Sequence, residues 1–287
     1  MTFSRTSILT GLWFSALIAV IFLPTFSWMV DRWTAPDSYY SHGFLIPFVS
    51  GFIVWKKKHL LREISTENPA FWAWIFMGSA FVLQIMSAVW RIYFTQALAF
   101  LLLIFGALLF FYSPRVVKKL LFPVLFLFFM IPMPLDVIAK LNLELKMFAA
   151  DCAVSMVRTL GVYCVQDGSH IHFMNASITV GNVCSGLRSL ISLLALGAIV
   201  AYLARGTGLK KILIFFVSFP TAIIANVARI VLLCLIANRW GVEAATGFFH
   251  DFSGLLIFGV AYLLLFFFES LLGIKWLRPL MATKNTS

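Results

Sequence analysis

The chain has 287 residues, of which 62% are hydrophobic and only 11% are charged. A soluble domain of this length cannot bury so much apolar surface, so the composition excludes a soluble globular protein and predicts a polytopic membrane protein. The net charge of +11 does not indicate a nucleic-acid partner. The lysines and arginines concentrate in short segments between apolar runs, where they determine membrane topology.

Eight apolar runs approach the roughly 20 residues that a helix needs to cross the hydrocarbon core of a bilayer. They cover residues 8–30, 39–55, 70–90, 92–112, 120–135, 183–204, 212–236 and 252–274. The second and fifth are short, and Pro123, Pro132 and Pro134 predict that the fifth is kinked or re-entrant. The predicted fold class is an all-α polytopic membrane protein with about eight transmembrane helices, seven and nine being the alternatives.

The Lys and Arg residues predict how these helices are oriented. They concentrate in one set of alternate connections, which includes residues 56–62 and 205–211, and they are sparse in the opposite set. The positive-inside rule then places both termini in the cytoplasm and the long connection 136–182 on the outer side. We expect one integral-membrane domain over residues 1–287, with residues 276–287 as a cytoplasmic tail.

The connection 136–182 is predicted to form a substrate platform. Apolar residues recur there at intervals of three and four, which predicts an amphipathic helix on the outer interface: Val137, Ile138, Leu141, Leu145 and Phe148. The alternation in SHIHFMNASITVGNV (169–183) predicts a short β-hairpin around Asn175, with an ordinary loop as the alternative. Cys152 and Cys164 on this side form either a disulfide or two buried thiols.

A thiol and a cation stand at the start of the sixth run, GNVCSGLRSL (181–190). We expect Cys184 in the first helical turn, where unpaired amide groups and the helix dipole favour the nucleophilic thiolate. Gly186 leaves room for a substrate backbone or a neighbouring helix. Arg188 is expected one turn further along on the face of the thiol. A cysteine that merely packs is the alternative, and it is the interpretation for Cys152, Cys164 and Cys234.

Arg229, in the seventh run, falls near the same outer membrane edge as Cys184. An arginine at the centre of a span costs roughly 2.5–3.5 kcal/mol, so it is rarely without a role. Snorkelling to the surface is the alternative, but Asn226, one helical turn earlier on the same face, favours a polar site.

Histidine is the usual general acid and base for a thiol near neutral pH. His250, in the outer loop before the eighth run, is favoured because Asp251 adjoins it in FFHDFSG. His42 in YYSHG is the second candidate, as an assistant to His250 or as its alternative.

Five segments together, in this order, resemble the exosortase family over about residues 30–270: YSHGFLIP (40–47), FMIPMP (129–134), NVCSGLRSL (182–190), NVARI (226–230) and FFHDFSG (248–254). The resemblance implies a bacterial inner-membrane protein that processes exported proteins carrying a PEP-CTERM tail. It also implies a periplasmic catalytic set, Cys184, Arg229 and His250. Their neighbours are expected to support the site: Ser185, Gly186, Arg188, Asn226, Asp251 and His42.

Such a set would form a thioester on Cys184 by attack on a peptide carbonyl. Water as the second nucleophile would make the protein a protease, whereas an amine or hydroxyl of a glycan or lipid would make it a transpeptidase. The sequence leaves this choice open, together with the tail motif, the oligomeric state and the division of roles between Arg188 and Arg229.

The expected partners are tail-bearing substrates and membrane lipids. No zinc or nucleotide-binding pattern is present in the sequence, so we expect neither a metal nor a cofactor. The alternative function is a transporter or an exopolysaccharide-assembly factor without peptidase activity, which Arg188, Arg229 and Glu269 within spans would also suit.

Overall fold

The computed structural model describes residues 5–62, 71–174, 177–181, 186–204 and 206–271. The described chain is mostly helical, with one small sheet. It divides into two compact units, Met1–Pro134 and Leu135–Ser287.

The first unit is a set of apolar helices. Its elements are α1 (Arg5–Thr34), α2 (Leu45–Lys56), a 3₁₀ turn (Leu60–Arg62), α3 (Phe71–Val89), α4 (Tyr93–Phe111), α5 (Pro114–Phe126) and a second 3₁₀ turn (Leu127–Met130). Buried hydrogen bonds join some of these helices, as is typical where lipid removes the hydrophobic drive for association. Thr25 donates to Gln96 at 2.7 Å and so joins α1 to α4. Ser50 donates to the Pro123 carbonyl at 3.0 Å and so joins α2 to α5.

The second unit is built on one long helix. Its elements are α6 (Leu135–Thr159), β1 (Cys164–Asp167), β2 (His170–Phe173), β3 (Ser177–Thr179), α7 (Leu187–Leu203), α8 (Gly208–Trp240), α9 (Val242–Thr246) and α10 (Phe248–Leu271). Helix α8 packs against α6, α7 and α10. Most of the helix–helix interfaces in this unit therefore involve α8.

The sheet is an antiparallel meander in the order β1-β2-β3. Its buried face, formed by alternate residues such as Cys164, Ile171 and Ile178, packs on the core shared by α6 and α8. The two strands of the predicted hairpin are β2 and β3, which pair Ile171 with Ile178, and its predicted turn at Asn175 lies outside the described residues. Strand β1 was not predicted. Cys152 and Cys164 are free thiols and not the predicted disulfide, and Cys164 is buried whereas Cys152 is half-buried.

The number of predicted spans is not confirmed. Four described stretches are long and apolar enough to cross a membrane: Ala16–Thr34, Phe71–Val89, Tyr93–Phe111 and Gly208–Trp240. A fifth is counted if the bent pair Pro114–Met130 and Leu135–Thr159 forms one span. The remaining predicted runs contain shorter apolar helices: Leu45–Lys56, Leu187–Leu203 and Phe252–Phe268. The second run is longer than its helix because residues 39–44 form a turn before α2. The break predicted from prolines in the fifth run is confirmed, since residues 131–134 are not helical.

Helix α6 is present where the amphipathic helix was predicted, and most of the apolar stripe that predicted it is not buried within the protein. Phe148 is 53% exposed, and Val137 and Leu141 are exposed too. The buried face carries small side chains instead, among them Ala149, Ala150 and Ala153. Helices of membrane proteins pack closely through small residues, so the large apolar residues of α6 face outward.

Candidate functional site

Two polar side chains lie buried on one face of α8. Asn226 and Arg229 are three residues apart, so they are neighbours on the helix surface. Their exposed fractions are only 2% and 9%, in a helix whose other buried residues are mainly aliphatic. A buried polar group is costly unless it is hydrogen-bonded, so this face is the polar centre of an otherwise apolar helix.

Asn226 contacts the start of α7. Gly186 is the N-cap residue of α7 and has φ +83° and ψ −12°, a left-handed conformation that favours glycine. A Cβ atom added to Gly186 would lie 2.7 Å from Nδ2 of Asn226. The carbonyl of Gly186 accepts the first bond of the helix, from the Leu190 amide at 2.7 Å. Of the two uses expected for this glycine, the structure therefore has the close approach of a neighbouring helix.

Helix α7 begins at Leu187, immediately after its N-cap residue Gly186. Cys184, which was expected in the first turn of this helix, and Ser185 lie outside the described residues. Arg188 is half-buried in the first turn, and its carbonyl accepts a hydrogen bond from Ser192 at 3.0 Å. Its expected position on the same face as the Cys184 thiol stays a prediction.

Arg229 contacts α10. Its Nε donates to Oγ of Ser253 at 2.9 Å, and both side chains are buried. A Cβ atom added to the next residue, Gly254, would lie 3.8 Å from an Nη atom of the same guanidinium. Ser253 was not predicted as a site residue, although it lies three positions after His250 within the quoted motif FFHDFSG.

His250 was expected in a loop, and this is wrong, since α10 begins at Phe248 and includes His250 and Asp251. His250 lies one helical turn before Ser253 along the α10 backbone. The side chains of His250, Asp251 and Glu269 are outside the described part of the chain.

His42 belongs to the first unit, in the turn that precedes α2. Its ring stacks on Tyr40 with 6.0 Å between centroids. Burial lowers the pKa of His42 to about 4 and raises the pKa of Tyr40 to about 12. Tyr40 also hydrogen-bonds to the backbone of Met133, and Trp33 donates to the Met130 carbonyl at 2.9 Å. The segments YSHGFLIP and FMIPMP are therefore packed together.

A groove of about 240 Å³, including its open mouth, lies beside Gly186 and Asn226. Its remaining lining is apolar and comes from α6, α7 and α8: Leu145, Phe148, Ala149, Leu190, Ala222 and Ile223. The space enclosed within it is about the room that one water molecule needs, so the groove is a shallow depression. Among the described residues no group of three His, Cys, Asp or Glu side chains could hold a metal ion.

Comparison with known protein families identifies the family of this chain. The model of the transmembrane exosortase family matches residues 28–267, which is most of the chain. No curated protein and no solved structure matches.

Proposed function

Because the chain belongs to the exosortase family, we propose that it is a membrane cysteine transpeptidase or protease. We propose that it removes a C-terminal sorting tail of the PEP-CTERM type from exported proteins at the periplasmic face of a bacterial inner membrane. One observation carries this proposal: the buried polar face of α8 contacts the first residues of two other helices. Helix α7 follows Cys184 in the chain, and helix α10 contains His250.

Chain connectivity supports a common site. Two residues of extended chain span at most about 7 Å, so Cys184 is tethered within that distance of Gly186, which packs on Asn226. A helix rises about 1.5 Å per residue, so about 4.5 Å along the axis of α10 separates His250 from Ser253, the partner of Arg229. All three proposed catalytic residues are therefore connected over short distances to the Asn226–Arg229 face of α8.

The proposed reaction begins with attack of the Cys184 thiolate on a substrate carbonyl carbon. The new C–S bond places a negative charge on the carbonyl oxygen, and the Arg229 guanidinium stabilises it electrostatically. His250 gives its proton to the leaving amine as the C–N bond breaks, which leaves a thioester on Cys184. A second nucleophile, water or an acceptor amine or hydroxyl, then loses a proton to His250 and releases the acyl group.

We propose that a substrate side chain next to the cleaved bond packs against the mouth of the shallow groove beside Gly186. Its lining is apolar except at Asn226, so an apolar residue fits it best. Its nearness to Gly186 puts it within a few residues of extended substrate from Cys184.

The test uses the full-length protein co-expressed with a substrate that carries a PEP-CTERM tail. Wild type is compared with Cys184→Ala and with Cys152→Ala, a control that removes a half-buried thiol on α6. We expect the substrate mass to change with wild type and the control only, and the mass difference separates hydrolysis from transfer. Equal processing by correctly inserted Cys184→Ala would overturn the proposal and favour a transporter or an exopolysaccharide-assembly factor.

A further inference from the structure

Ser253 forms a hydrogen bond with Arg229, the residue that is proposed to stabilise the oxyanion. Arg229 Nε donates to its hydroxyl oxygen at 2.9 Å, and Ser253 is 2% exposed. A hydrogen bond from a charged donor is roughly twice as strong as one between neutral groups. Burial of both partners removes the competition from water that weakens such bonds at a surface.

The atom that makes this bond matters. A guanidinium is planar and carries its five N–H donors in a fixed fork. Holding Nε therefore sets the plane of the whole group, and with it the direction in which both Nη atoms point. Gly254 adjoins the same group, because a Cβ atom added at that position would lie 3.8 Å from an Nη atom of Arg229. The guanidinium accordingly lies beside Gly254 as well as against the Ser253 hydroxyl.

We propose that Ser253 is a positioning residue, which aims Arg229 at the reacting carbonyl and ties it to the helix that carries His250. The inference rests on the proposed function of Arg229 and His250. Positioning through a second residue is effective because electrostatic stabilisation of a transition state requires donors that are already oriented. In this arrangement Arg229 is attached to the start of α10 by its hydrogen bond to Ser253, and His250 is part of the same helix. The separation of Arg229 and His250 therefore stays constant.

The experiment measures kcat and KM for tail removal by the purified full-length protein in lipid nanodiscs. Ser253→Ala is expected to lower kcat about 10- to 100-fold with a smaller change in KM, as for loss of one bond to a charged group. Ser253→Thr, which keeps the hydroxyl, should retain most of the activity. Ser218→Ala is the matched control, because Ser218 is a buried serine of α8 that bonds within its own helix, to the Phe215 carbonyl.

A second measurement separates positioning from packing. In an Arg229→Lys background the Nε donor is absent, so Ser253→Ala should cause little further loss of kcat. A packing role would lower kcat and protein yield by the same factor in both backgrounds, and that result would overturn the inference. If Ser253→Ala does not accumulate, the equal-sized pair Ser253→Thr and Ser253→Val decides, since only the valine lacks the hydroxyl.

The controls also separate this inference from the proposed function. Activity in Cys184→Ala would overturn the proposed reaction itself. Loss of activity in Cys184→Ala and Arg229→Ala, with wild-type kcat in Ser253→Ala and Ser253→Val, would overturn only the positioning role.

Discussion

Replacement of Gly186 by alanine should damage the site, although it adds only one methyl group. The new Cβ would lie 2.7 Å from Asn226 Nδ2 and 2.9 Å from its Cγ, closer than side chains tolerate. The left-handed backbone conformation of Gly186 adds ~1–2 kcal/mol for any residue with a Cβ, and overpacking adds ~1–3 kcal/mol. The combined cost is about 2–5 kcal/mol, concentrated two residues after Cys184 in the chain.

The strain is relieved either by a new position of the Asn226 side chain or by a movement of Gly186 away from α8, and both change the polar face of α8. A displacement of 1 Å between reacting groups can lower a rate about 100-fold, so we expect a loss of that order in tail removal. The assay follows substrate mass with time, and thermal unfolding in detergent reports stability. Gly181→Ala is the matched control in the same segment, because no atom lies within 4 Å of its added Cβ.

The double variant Gly186→Ala with Asn226→Ala tests the cause. Removing the amide should restore part of the unfolding temperature, because the contact with Nδ2 and Cγ is gone. The backbone strain should remain, so recovery should be incomplete. The reasoning is refuted if Gly186→Ala behaves like Gly181→Ala, or if the Asn226 change restores no stability.

Three further predictions concern the groove, the first unit and the packing of α6. Ile223→Phe, at a half-buried position that lines the groove, should block its mouth and lower tail removal about tenfold or more, while Ile224→Phe, on the exposed side of α8, should not; equal rates would exclude the groove from substrate binding. The pKa of His42 is about 4 in the folded chain and near 6.5 when unfolded, so the unfolded state binds more protons between these values. Stability should therefore fall as the pH drops from about 6.5 to about 4, and His42→Gln should reduce this dependence in thermal unfolding. Ala153→Leu should lower the unfolding free energy by ~1–3 kcal/mol through overpacking, and Leu143→Ala on the exposed face of α6 should have little effect on the same measurement.

The sequence predicted those features that depend on neighbouring residues. Pro132 and Pro134 lack the amide donor that a helix requires, so the break after α5 could be located. Alternation along SHIHF and SIT predicted the hairpin formed by β2 and β3, because one face of the sheet is buried. These rules are local and hold in lipid as well as in water.

Features that depend on distant contacts were not predicted. The packed face of α6 was not predicted, because apolar character does not distinguish protein-facing from lipid-facing residues in a membrane protein, whereas side-chain size does, as Ala149, Ala150 and Ala153 show. The start of α7 depends on a left-handed Gly186, and glycine at that position could equally have sat within a helix. The bond between Arg229 and Ser253 joins two helices, and no periodicity in the sequence indicates it.

The charges near Gly186 indicate which chemistry this part of the molecule favours. The N-terminus of a helix carries about half a positive charge, and α7 presents that end to the segment containing Cys184. Arg229 lies one turn of α8 beyond Asn226, the residue that Gly186 contacts. Two positive groups within a mostly apolar unit repel each other. An anion that lies between them offsets this repulsion and is stabilised by both groups. A thiolate and the oxyanion of a tetrahedral intermediate are such anions, and both arise in the proposed reaction at Cys184. A pathway for cations would require the opposite sign of charge at this position, so the electrostatics favour cysteine chemistry over cation transport.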